Sequence, residues 1–175
     1  MAVLDPIDGS TNAHRGVPFY STSICVFDGD GPLIGSVVDH CSGRRFHGIR
    51  GGGAWRDREP IKTSGCRVLS ESIVGLGGNP RRKVGSWQFR ALGCASLELC
   101  AVADGTIDAY MLGEGNTLRP WDYLAGLLIC TEAGAAVSET DGRDPWIASD
   151  QGYRPIAAAS EELLSGLLSS QGAVR

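Results

Sequence analysis

The stretch 121–133 sets the strongest constraint on how this chain can fold. Leu124, Ala125, Leu127, Leu128 and Ile129 make it apolar nearly all the way round a helix, and Gly134 stands just past its end. A helix with no polar face has nothing to turn toward water and must be buried among other elements. A second helix is predicted over 95–104, with Leu97, Leu99, Cys100 and Val102 apolar and Gly105 as a C-terminal cap.

Strand-type runs surround these helices. Residues 19–27 form a β-favouring run that stops at Asp28-Gly29-Asp30-Gly31-Pro32, and 33–39 form its return. Ser42-Gly43 turns the chain into 44–49, Gly51-Gly52-Gly53 leads into Ala54-Trp55, and 57–60 closes another hairpin. This reads as an antiparallel meander. The pattern changes between 64 and 71, which divides the chain into an antiparallel sheet portion, 1–65, and an α/β portion, 70–175. In the second portion 72–77, 106–111, 136–137 and 155–159 read as strands and 161–168 as a last helix. Residues 80–90 read as polar and basic, with Trp87 and Phe89. The expected class is α/β, a layered α+β sandwich whose antiparallel sheet is followed by a mixed, mostly parallel α/β layer.

Charge and cysteine usage narrow the partners. A formal charge of −4 gives no field to gather nucleic acid or to coat an anionic membrane, so neither is expected as a partner. No run approaches the roughly 20 apolar residues needed to span a bilayer, and the first residues lack signal-peptide features. The six cysteines are scattered without a C-x-x-C pair, and most lie in apolar surroundings. Buried, reduced thiols in a cytoplasmic protein are the expectation.

The chemistry-bearing segment is Asp5-Pro6-Ile7-Asp8-Gly9-Ser10-Thr11-Asn12. Pro6 pushes Asp5 out of helical geometry, and Gly9 lets the backbone bend close to a ligand. Asp5 and Asp8 can then converge on one point, with the Ile7 carbonyl beside them. Carboxylate plus carbonyl oxygen is the donor set Mg²⁺ prefers. Ser10 and Thr11 offer free amides at the start of a short helix, a seat for phosphate. Far downstream, Asp122 opens the apolar helix after Pro120-Trp121 with a third carboxylate. Each residue also has a plain structural use: Asp-Pro and Asp-Gly make turns, Ser10 caps a helix, and Asp122 complements a helix dipole.

Residues 3–12 resemble the first signature of the inositol monophosphatase family. Trp121-Asp122-Tyr123-Leu124-Ala125-Gly126 through Glu132-Ala133-Gly134 resembles the second. Residues 90–100 and 105–110 are similar to the family's connecting segments. The resemblance implies a sugar phosphatase-like layered fold and a Mg²⁺-dependent, lithium-sensitive phosphomonoesterase, usually a homodimer. It implies two or three Mg²⁺ ions held by Asp5, the Ile7 carbonyl, Asp8 and Asp122, with Asp5 bridging two of them. Gly9 and Ser10 amides would hold the phosphate, the Ser10 hydroxyl would help orient the attacking water, and Gly93, Cys94 and Ala95 would pass along the substrate's hydroxyls. The expected substrate is a small sugar-like or cyclitol monophosphate. A nucleotide 3′-phosphatase, a histidinol-phosphatase and a fructose bisphosphatase are alternatives within the class.

The chain departs from the family pattern in three places. The family carries a glutamate metal ligand, and an acidic partner for the hydroxyl at Ser10, ahead of the first signature. This sequence has no such segment, so an N-terminally truncated, non-catalytic member or partner subunit is the alternative from outside the class. Leu112 stands where the family has its inositol-binding glutamate, and Glu114 is the candidate substitute. Ser10 replaces a threonine and keeps the hydroxyl.

Other motifs carry less. His14, His40 and His47 have no metal-ligand spacing, Gly75-Leu76-Gly77-Gly78-Asn79 reads as a turn, and Arg44-Arg45 and Arg81-Arg82-Lys83 read as solvated clusters.

Overall fold

The structure, a computed structural model, describes residues 1–79, 83–149 and 151–172. Arg81 and Arg82 of the second basic cluster therefore lie outside the described residues. Strand β1 (Ala2–Asp8), helix α1 (Ser10–Arg15) and strands β2 (Ser21–Asp28), β3 (Gly31–Asp39), β4 (Arg45–Ile49), β5 (Gly53–Arg56) and β6 (Glu59–Pro60) come first. The six strands form one sheet in chain order, each antiparallel to the next. The predicted meander is present, and β1 joins it as an edge strand. The turn expected at Pro6 is instead a register shift against β2 between Asp5 and Asp8. An edge tolerates this, because the amide that proline lacks would face away from the neighbouring strand.

Alternation sorts this sheet into two faces. Cys25, Val37, Phe46 and Ala54 point inward and are buried, whereas Leu4, Ile24, Ile34 and Ile49 point outward and are exposed.

The second sheet contains β7 (Ile73–Gly77), β8 (Gln88–Arg90), β9 (Ala109–Leu112), β10 (Ala136–Glu139) and β11 (Pro155–Ala158), in the order β10-β11-β9-β7-β8. Helix α2 (Ala95–Ala103) precedes β9, α3 (Pro120–Glu132) precedes β10, and α4 (Glu161–Gly172) ends the described chain. The sheet is evenly mixed rather than mostly parallel: β7 is parallel to β8 and β9, but β11 is antiparallel to β9 and β10. A parallel neighbour requires a crossover such as α2 provides; β10 reaches β11 without a helix, so they pair antiparallel. Strand β8 lies in a stretch that reads as polar loop, because it is three residues long and Phe89 is exposed.

Helix α3 explains its own composition. On one side it lies so close to the first sheet that a Cβ on Gly35 would sit 2.6 Å from the Ala125 carbonyl oxygen; one on Gly48 would sit 3.0 Å from Ile129 Cα. On another side Gly126 meets Leu99 and the Ser96 carbonyl of α2. Leu124, Leu127 and Ile129 are fully enclosed as a result, each worth about 1.5–3 kcal/mol of burial. Helix α2 carries this core to the second sheet, and Leu163, Leu164 and Leu167 of α4 cover that sheet's far side over Val74, Met111 and Ile156. The layers run sheet, helix pair, sheet, helix.

Candidate metal and phosphate site

The tight seat of α3 brings its first turn to the end of β1. Asp5, Asp8 and Asp122 each offer a ligand atom, all within 4.8 Å of one another. The local fold orients every one of them. Asp5 Oδ1 accepts the Ile7 amide at 2.9 Å, and Asp122 Oδ2 accepts the Arg119 amide at 2.7 Å as part of the helix start. Asp8 Oδ2 accepts the Ser96 amide (2.8 Å), the Ser96 hydroxyl (2.6 Å) and the Cys94 thiol (3.2 Å). Each acid thus has one oxygen tied back to the protein. Among the described residues no amide or alcohol donor reaches the other.

Electrostatics match that arrangement. Burial lifts the Asp122 carboxyl to about 6, and the Asp8 and Asp5 charges add to the rise against the pull of the Arg119 amide. Asp5 is also raised, chiefly by burial and then by Asp8, with the Ile7 amide opposing. None of the ion pairs among the described residues involves these acids. A cluster of oxygen donors that lacks a protein counter-charge fits a hard divalent cation, which supplies the charge the cluster lacks.

The Gly9 loop packs beside it. Gly9, at φ +79°, caps α1 in a left-handed conformation, and a Cβ there would press on Cys94 Cβ and the Phe19 carbonyl, each at 3.1 Å. Asn12 locks the contact by donating to the carbonyls of Phe19 (2.8 Å) and Leu92 (2.7 Å). Ser10 lies exposed at the start of α1, and Ile7 sits between the two acids on β1. A cavity of about 220 Å³ opens from Asp8 along Gly93, Cys94 and Ala95 toward Tyr110, Leu112 and Asn116. Glu114 is not part of its lining; Leu112 and Asn116 on either side of it are.

Three participants escaped the sequence reading. Ser96 and Ser21 join Asp8, with their hydroxyls 2.7 Å apart. Nothing marks these serines in the chain. Glu98 faces the same cavity and accepts the Leu92 and Gly93 amides, each at 3.3 Å; burial lifts its carboxyl to about 7 against those two bonds. A carboxylate inside an apolar helix was the available signal. Burial, reinforced by Asp8, also pushes the Cys94 thiol up to about 12, so it serves as a neutral donor. All six cysteines are free.

The chain as a whole has known relatives. A model of the inositol monophosphatase family matches residues 1–174. The chain belongs to that family. It is 35% identical over 173 residues to a fructose-1,6-bisphosphatase of Pyrococcus furiosus, covering 95% of this chain and 67% of the relative. It is 33% identical to inositol monophosphatase 1 of Solanum lycopersicum, covering 92% and 62%. A Pyrococcus horikoshii protein described as similar to inositol-1 monophosphatase superposes with a TM-score of 0.86 at 33% identity, covering 97% of this chain and 69% of the other. An inositol monophosphatase from Anabaena gives 0.86 at 28% identity, covering 99% and 72%. The chain thus spans about two thirds or less of the length of these two curated relatives. No helix among the described residues is long and apolar enough to cross a membrane.

Proposed function

We propose that the chain is a Mg²⁺-dependent phosphomonoesterase of small sugar-like or cyclitol phosphates. The observation that carries this is the meeting of Asp5, Asp8 and Asp122, of which Asp8 also lines the cavity along Gly93–Ala95. In this reading residues 1–65 supply the first metal and phosphate loop, and 70–175 supply the third acid and the substrate wall. The three acids and the Ile7 carbonyl would hold Mg²⁺, which when bound would supply polarisation of a phosphoryl group and a lowered pKa for a bound water. The chain's own groups do the rest. Gly9 and Ser10 amides fix the phosphate, the Ser10 hydroxyl orients the water, and the loop at 93–95 aligns the substrate's hydroxyls.

Leu112 stands in the cavity wall where the family resemblance places an inositol-binding glutamate, which favours a sugar phosphate over inositol phosphate. The fructose-1,6-bisphosphatase names among the relatives support the same preference. A cytoplasmic location and a homodimer complete the reading. The test is phosphate release from fructose 1,6-bisphosphate and inositol 1-phosphate across a Mg²⁺ titration. Release that does not depend on Mg²⁺ sinks the proposal.

A pH dependence follows from Asp122. Its carboxyl moves from 3.8 to about 6 on folding, so the metal-free fold binds the extra proton between those values. This group's contribution to stability is largest at low pH and declines as pH rises through about 4 to 6. Mg²⁺ reverses the preference, because it must displace that proton. Apparent Mg²⁺ affinity is expected to fall about tenfold per pH unit below 6 and to level off above it. Calorimetric titrations at pH 5, 6 and 8 check this, and a flat profile contradicts it.

A further inference from the structure

Asp8 is held by an unusually complete set of buried donors. Ser96 contributes its amide and its hydroxyl, and Cys94 its thiol, all to Oδ2. Behind them, Ser21 Oγ lies 2.7 Å from Ser96 Oγ and 3.4 Å from Cys94 Sγ. Ser21 and Ser96 are 0% exposed, Cys94 1% and Asp8 8%. Proton bookkeeping fixes the direction of this chain. A carboxylate only accepts, so the single Ser96 hydroxyl proton goes to Asp8; Ser96 Oγ must then accept from Ser21. The relay runs one way, from Ser21 through Ser96 to Asp8. Burying two hydroxyls beside an apolar core is costly unless they are satisfied, and alanine would fill both places for packing alone.

We infer that Ser96, backed by Ser21, is a positioning residue that commits Asp8 to binding a cation through Oδ1 only, and so favours Mg²⁺-sized ions over Ca²⁺. The inference rests on the metal-site reading above. Three donors occupy Oδ2, which removes it as a second ligand atom. One-oxygen carboxylates suit the small octahedral ion, whereas Ca²⁺ takes six to eight oxygens and readily uses both oxygens of a carboxylate. Hydrogen bonds to an ionised acceptor are the strong ones, so the Ser96 hydroxyl carries a measurable share of this orientation.

The experiment uses Mn²⁺ alone, followed by electron paramagnetic resonance, with Ca²⁺ as competitor and thermal melts in chelator as the folding control. Ser96→Ala is expected to weaken Mn²⁺ binding about tenfold and to narrow the preference for Mn²⁺ over Ca²⁺. Ser21→Ala is expected to weaken it about two- to threefold, and the double variant to lose less than the two single losses combined, because the shorter contact of Ser21 is to Ser96 rather than to Cys94. A Ser96→Ala protein with parental affinity and parental ion preference overturns the inference while leaving the metal site standing, as do losses that simply add. A parent chain that binds no Mn²⁺ overturns the metal site and the inference together. If Ser96→Ala does not fold, Ser21→Ala decides alone: unchanged affinity overturns the inference.

Discussion

Replacing Asp122 with asparagine is expected to cut Mg²⁺-dependent phosphate release by about a hundredfold or more while leaving the metal-free protein at least as stable. The two effects have one cause. Asparagine keeps the size of the side chain and an oxygen able to accept the Arg119 amide. It removes a charge that burial and two neighbouring acids make unfavourable in the empty site. The charge that burial disfavours is the one that would bind the ion, and stabilisation of a transferring phosphoryl group by a metal is worth several kcal/mol, at about 1.4 kcal/mol per tenfold in rate. Asp5→Asn and Asp8→Asn should lose activity to a similar degree. Steady-state phosphate release paired with melts in chelator checks both halves. Undiminished turnover in all three variants would remove the hydrolase reading, and a large drop in metal-free melting temperature for Asp122→Asn would show a structural role instead.

The second large effect belongs to Gly35, and it is one of stability. Valine there would place its Cβ 2.6 Å from the Ala125 carbonyl oxygen and 3.2 Å from its Cα, both backbone atoms in the buried middle of the helix. Backbone cannot swing aside as a side-chain tip can, so α3 would have to lift off the first sheet. Overpacking of this kind costs about 3 kcal/mol or more, a fall in melting temperature on the order of 10 °C for a chain of this size. Gly29→Ala, where nothing lies within 4 Å of the added carbon, is the matched control and should melt like the parent. Because α3 carries Asp122, any Gly35→Val protein that still folds should also bind Mg²⁺ more weakly. Equal melting of the two variants would show that the helix does not rest on this strand as described.

These contrasts also show which parts of the molecule were legible in the chain. The burial of α3 was written in its composition, since Leu124, Leu127 and Ile129 leave it no wet face. The meander was readable for a similar reason: Cys25, Val37 and Phe46 alternate with outward residues, and turns separate the runs. Strand β8 was not, because three edge residues with an exposed Phe89 carry no period. Nor was the even mix of strand directions in the second sheet, which depends on where the chain crosses over. At the site, the three acids stood out because Pro6, Gly9 and Pro120 surround them with turn and helix-start chemistry. The serines behind Asp8 are 75 residues apart and look like any others; only the packing of β2 on α2 makes them partners.

The origin of the three acids has one more consequence. Two sit on an edge strand of the first sheet, and the third opens a helix whose middle, Tyr123 to Cys130, is buried. An ion shared among them would act as a removable cross-link that closes a loop of more than a hundred residues and pins the periphery to the centre. Loading and folding would then be linked: the concentration of the free cation would set how long the β1 edge stays docked.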